Sequence, residues 1–119
     1  MLDIEQMQEM QMRLQAKYAG WWEPVDPQRG LNKLMWMIAE VGEAAQILKR
    51  KGANGIMENE SVRADFVEEL CDVMMYFGDV LLSYGITPEE FEKIYRAKHE
   101  RNMTRWQIPK NIAAEQSDA

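Results

Sequence analysis

Glu40-Val41-Gly42-Glu43 and Glu69-Leu70-Cys71-Asp72 each place two carboxylates three residues apart. On a helix that spacing sets both acids on one face, one turn apart. Glu40 and Glu43 have no basic residue three or four positions away in either direction, and no Lys or Arg lies between Arg63 and Lys93. Like charges at such spacings repel by about a few tenths of a kcal/mol each. Acids of this kind persist if they are solvated, if basic residues reach them from elsewhere (the fourth helix is the obvious source), or if they hold a hard cation. Two pairs facing one another across a divalent cation is the reading pursued below. Four carboxylates without histidine suit Mg²⁺ or Mn²⁺ and argue against zinc.

A second group can hold phosphate. Lys98, Asn102 and Arg105 recur at spacings of four and three, with Tyr95 one turn before them. A cation on the acids and a Lys/Asn/Arg stripe nearby would grip a polyphosphate from both sides. The plain alternative is a charged surface helix whose bases pair with Glu92 and Glu100. The lone His99 excludes a multi-histidine metal site within one chain. Arg96 stands three residues before it, so the Glu-x-x-His motif of di-iron bundles is absent.

Four helices must position these groups. Met7, Met10, Leu14 and Tyr18 give a helical stripe over 2–18, beside a second stripe of Gln8, Gln11 and Gln15. Those glutamines read either as a solvated face or as side chains reaching a polar ligand. Gly20 to Gly30 is a loop, because Pro24 and Pro27 prevent a regular helix. Trp21 and Trp22 within it either plug the end of a core or offer a stacking surface to a nucleobase.

The second helix spans 31–51 and stops at Gly52. Its expected core stripe is Leu34, Ile38, Val41, Ala45 and Leu48. Trp36, Glu40, Glu43 and Ile47 form a neighbouring stripe, so the acids are bracketed by large apolar side chains. A loop over 52–59, with Asn54-Gly55 as its turn, leads to a third helix over 60–84. That helix carries Phe66, Leu70, Val73, Phe77, Val80 and Tyr84 on one face and Asp65, Glu69, Asp72, Tyr76 and Asp79 on another. Thr87-Pro88-Glu89-Glu90 is a capping box with proline at the first helical position, opening a fourth helix over 88–104. The fold expected is an all-α, four-helix domain over 1–106, with a mobile tail over 107–119.

The 119 residues suit one domain, and 46% hydrophobic content fits a globular one. A net charge of −6 disfavours binding to nucleic-acid polymers or to an anionic membrane. No apolar run approaches the roughly 18–20 residues of a membrane span. The opening Met1-Leu2-Asp3-Ile4-Glu5 has neither the basic nor the apolar region of a signal peptide. Cys71 is the lone cysteine, which fits a reducing compartment. A cytoplasmic location is therefore expected.

The two acid motifs, the second set in an apolar helix (Glu69-Leu70-Cys71-Asp72-Val73-Met74-Met75-Tyr76), together with Tyr95, Lys98, Asn102 and Arg105 downstream, resemble the MazG-like all-α nucleoside triphosphate pyrophosphohydrolases. The likeness covers about residues 31–106. It implies Mg²⁺-dependent (Mn²⁺ is an alternative) cleavage of a (deoxy)nucleoside triphosphate to the monophosphate and pyrophosphate, in the service of house-cleaning. Glu40, Glu43, Glu69 and Asp72 would be the metal ligands and catalytic acids. Lys98, Asn102, Arg105 and Tyr95 would contact phosphates. The resemblance also implies a helical bundle completed by a homodimer or homotetramer, which agrees with helices two and three being too apolar for one small chain to cover. A dUTP-preferring or phosphoribosyl-ATP pyrophosphohydrolase would share the acid motif, and a non-catalytic helical dimer binding a nucleotide or a protein is the rival from another class. One departure stands out. Many members carry a further glutamate immediately before the first pair, where this chain has Ala39, so Glu68 or Glu43 would have to substitute.

Overall fold

The structure is a computed structural model that describes residues 1–112. Among them it contains four α-helices, α1 (Ile4–Lys17), α2 (Gly30–Glu58), α3 (Glu60–Ser83) and α4 (Pro88–Arg105), with a 3₁₀ turn at Pro27–Arg29 before α2. The described residues include no strand. The chain divides into two compact units, Met1–Pro88 with α1 to α3, and a second from Glu89 that holds the remainder of α4. Of the expected tail, 107–112 is exposed and 113–119 lies outside the described residues.

Local chemistry sets the helix ends. Asp3 and Gln6 form a reciprocal capping box on α1: the Gln6 amide donates to Asp3 Oδ1 (2.8 Å) and the Asp3 amide donates to Gln6 Oε1 (3.1 Å). Asn59 caps α3 by accepting from the Val62 amide at 3.1 Å. Asp26 does the same for the Pro27–Arg29 turn, accepting from the Arg29 amide at 3.0 Å.

Gly52 breaks α2 but does not end it. Its φ of 67° and ψ of 175° kink the helix, a conformation open to glycine and strained for other residues. The expected loop at 52–59 is instead further helix up to Glu58. Ile56 is the reason that can be named: it is buried, and a helical segment after the kink turns it inward.

In the first unit, α3 is the central helix. α2 packs along it, and α1 packs on it as well. Gly78 is buried where α1 packs on α3, and a Cβ there would make ordinary contact with Gln11 Cγ at 3.6 Å. Gly30 has a stricter role. A Cβ at that position would overlap the ring of Tyr84, whose hydroxyl donates to the Pro27 carbonyl at 3.2 Å and ties the end of α3 to the start of α2.

Two expectations about facing are overturned. The glutamine stripe is not solvated: Gln8 and Gln11 are each 6% exposed. Gln8 Nε2 donates to the Ile86 carbonyl at 3.0 Å, while Gln11 and Gln15 both donate Nε2 to Asp79 Oδ1, at 2.8 and 3.2 Å. The glutamines are the polar inner face of α1, satisfied by α3 and the chain just after it. The second correction concerns α2. Leu34, Ile38, Val41, Ala45 and Leu48 are exposed in the single chain, Ile38 at 53%. The side of α2 that turns to α3 is the neighbouring one, with Lys33 and Ala44 buried and Met37, Glu40 and Ile47 half-buried. Polar and apolar residues thus share the seam between helices, and an apolar stripe faces outward.

Candidate metal centre and adjoining cleft

Glu40 on α2 and Glu69 and Asp72 on α3 converge. Each offers a carboxylate oxygen, and these atoms lie within 4.8 Å of one another. All three residues are half-buried, so the cluster is sheltered yet open to solvent. The helical seam produces this. The three-residue step from Glu69 to Asp72 keeps both on the α2-facing side of α3, and Glu40 is turned toward them by the inward roll of α2.

Glu43 is not part of the trio. It is exposed, one turn beyond Glu40, but near enough that its charge acts on Glu69. The pKa of Glu69 is raised, first by a side-chain hydrogen bond with Glu40, then by burial, then by the charges of Glu40, Asp72 and Glu43. The cluster therefore holds more negative charge than it can easily carry, which is the electrostatic condition for capturing a cation or a proton. The donor set, all carboxylate oxygen, fits Mg²⁺ or Mn²⁺. Ala39, where the resemblance leads one to expect an acid, is exposed on the outer side of α2, and Glu68 is exposed too.

Beside the trio runs a cleft of about 390 Å³. Glu40 and Asp72 form part of its lining, with the rings of Trp22, Trp36 and Tyr76, and with Lys33, Gln11 and Asp79 among its polar groups. Trp22 stacks on Tyr18, with centroids 4.4 Å apart and planes at 21°. Trp22 thus lines the cleft rather than plugging a core, whereas Trp21, which meets Tyr18 edge-on, is 80% exposed. Trp36 and Tyr76 meet at 6.0 Å. The Tyr76 phenol has its pKa raised, by burial first and then by Glu40, Asp79 and Asp72, so it stays protonated as a hydrogen-bond donor.

Lys33 and Asp79 form an ion pair within this lining, Nζ to Oδ2 3.7 Å, with each side chain 3% exposed. Lys33 also donates to the Glu23 carbonyl at 2.9 Å and lies over the Trp36 ring at 5.2 Å. The base that meets Asp79 therefore comes from α2, not from the fourth helix as expected. Lys33 was missed in the sequence, although a signal existed: it stands three residues before Trp36 and seven before Glu40, on their side of the helix.

The expected phosphate stripe belongs to the second unit. Tyr95, Lys98, Asn102 and Arg105 are all exposed along α4. Lys98 and Arg105 share a shallow hollow with Arg101 and Thr104. Arg105 lies over the Trp106 ring at 5.0 Å, Tyr95 meets Phe91 at 5.9 Å, and Arg96 pairs with Glu92 at 2.9 Å.

No protein family model, curated protein or solved structure matches the chain. Among the described residues no helix is long and apolar enough to cross a membrane.

Proposed function

We propose that the protein is a Mg²⁺-dependent nucleoside triphosphate pyrophosphohydrolase of the MazG-like kind. The observation that carries this reading is an aromatic-lined cleft that shares Glu40 and Asp72 with the three converging carboxylates Glu40, Glu69 and Asp72. Aromatic side chains in a cleft suit a nucleobase, and a clustered carboxylate site suits the cation that accompanies a polyphosphate.

Glu40, Glu69 and Asp72 would hold the cation. When bound, it would supply charge screening at the phosphate oxygens and a bound water of lowered pKa. Glu43, adjacent but outside the trio, would be the carboxylate left to orient that water and accept its proton, which is the role that Ala39 cannot fill. The link between the α- and β-phosphates is broken, water contributing its oxygen to one product and a proton to Glu43. Lys98, Asn102 and Arg105 are proposed to neutralise the pyrophosphate as it leaves. Tyr95, on the same helix, is assigned to the phosphates with them.

The outward apolar stripe of α2 supports a homo-oligomer. Leu34, Ile38, Val41 and Leu48 on α2 and Leu70 and Met74 on α3 are exposed, and a second copy is proposed to cover them, as a dimer or a dimer of dimers. The rival, a nucleotide-binding helical dimer without catalysis, rests on Ala39 alone. An assay of pyrophosphate release over the common NTPs and dNTPs, with and without Mg²⁺, separates them. Release that requires the cation supports the hydrolase. Thermal stabilisation by nucleotide without release favours the rival.

A further inference from the structure

We infer that Glu23 is a positioning residue for the cleft: it latches the loop that carries Trp22 to the start of α2, and so keeps Trp22 in place for a bound nucleoside. This rests on the proposed function, which supplies the nucleoside. A connecting loop is rigid only where something ties it down. The amides of Trp21 and Trp22 both donate to the Tyr18 carbonyl, at 3.0 and 2.8 Å. After Trp22 that anchoring stops. Among the described residues, Glu23, Pro24 and Val25 make no backbone–backbone hydrogen bond. Side chains take over at Glu23. Its carbonyl accepts from Lys33 Nζ at 2.9 Å, its Oε1 accepts from Asn32 Nδ2 at 2.7 Å, and Arg29 Nε lies 3.6 Å from the same oxygen. One short stretch of chain, 29–33, therefore grips both the main chain and the side chain of one glutamate.

The latched segment is part of the cleft. Trp22, Glu23, Lys33 and Trp36 all line it. Trp22 immediately precedes Glu23 and stacks on Tyr18 at 4.4 Å. Lys33 lies over the Trp36 ring at 5.2 Å, so it meets one tryptophan directly and reaches the other through the Glu23 carbonyl. Removing the Glu23 side chain leaves the Lys33 bond in place but takes away Asn32 and Arg29. The loop beyond Trp22 is then tied at a single point. A ring that must be ordered as the ligand arrives weakens binding by the cost of that ordering and leaves the chemical step alone.

The experiment follows the tryptophans. Phenylalanine in place of the exposed Trp21 and Trp106 leaves Trp22 and Trp36 as the emitters. In that protein Glu23→Ala should increase acrylamide quenching while far-UV circular dichroism stays helical. It should also raise KM for the triphosphate by about tenfold with little change in kcat, the loss expected for a hydrogen bond to a charged group. Glu23→Gln keeps an oxygen for Asn32 and should restore most of both properties. Quenching that Glu23→Ala leaves unchanged overturns the latch. So does a fall in kcat at constant KM, which would put Glu23 in the chemistry, and so does a Glu23→Gln protein as impaired as Glu23→Ala. Increased quenching in a protein whose parent releases no pyrophosphate keeps the latch and removes the hydrolase reading. Cation-dependent release with quenching and KM unmoved does the reverse.

Discussion

A carboxylate oxygen of Glu40 lies within 4.8 Å of one of Glu69 across the seam between α2 and α3. Two ionised carboxylates have only acceptors and repel, so their closeness favours holding a proton between them. The consequence is a defined pH dependence. Glu69 has a pKa raised above its ordinary value of 4.5, so the folded protein holds the proton more tightly than the unfolded chain. The stabilisation from this proton is full below the ordinary carboxylate value and is lost as pH rises through the raised one. Melting in EDTA should therefore fall as pH is raised from about 4 to about 8, with other groups' contributions subtracted through Glu69→Gln. Millimolar Mg²⁺ should reverse the fall by replacing the proton. A melting temperature indifferent to Mg²⁺ throughout would contradict a cation site here.

Glu43 and the trio should separate in their effects. Glu40→Gln, Glu69→Gln and Asp72→Asn should each weaken Mn²⁺ binding, measured by calorimetry or by the electron paramagnetic resonance of the free ion. Glu43→Gln should keep most of the Mn²⁺ affinity while lowering kcat by about 10²–10⁴-fold, the usual worth of a general base. Equal loss of Mn²⁺ in all four variants would make Glu43 a ligand, and the base would have to be sought elsewhere.

Asp79 is the hub of the polar seam, with Gln11, Gln15 and Lys33 converging on it. Asp79→Ala strands a buried ammonium and should cost about 3–5 kcal/mol in urea unfolding. Asp79→Asn strands the ammonium as well but retains an oxygen for the two glutamines, so it should cost less by the worth of those hydrogen bonds. A negligible effect of Asp79→Ala would mean that Lys33 reaches water when its partner is removed.

Ile38 and Val41 test the outward stripe. Glutamate at either position should shift sedimentation from an oligomer to a monomer, since a charge in an apolar interface loses solvation without gaining a partner. A wild type that sediments as a monomer over the micromolar range would remove the role assigned to this face.

Helix positions were legible because their causes are local. Pro24 and Pro27 exclude regular helix and Pro88 opens α4, whereas Gly52, read as the end of α2, only kinks it. What lay beyond the sequence was which stripe of α2 faces its own chain. An apolar stripe such as Leu34, Ile38, Val41 and Leu48 is equally suited to a neighbouring helix of the same chain and to a second copy, and periodicity is the same in both cases. The glutamines of α1 failed for a related reason. Polar periodicity reads as solvent until the partner, here Asp79 about seventy residues away, is known. Of the site, Glu40, Glu69 and Asp72 were legible from spacing and the absence of nearby bases. The separation of Glu43 from them depends on the roll of α2, and Lys33 was hidden because its partner lies on another helix.

The most direct measurement is pyrophosphate release by the purified protein over the common NTPs and dNTPs, with Mg²⁺ and with EDTA, beside Glu69→Gln and Asp72→Asn. The account predicts release that requires the cation and falls by about 10²–10³-fold or more in each variant while the circular dichroism remains helical. Cation-independent release, or turnover by both variants at the wild-type rate, would contradict it.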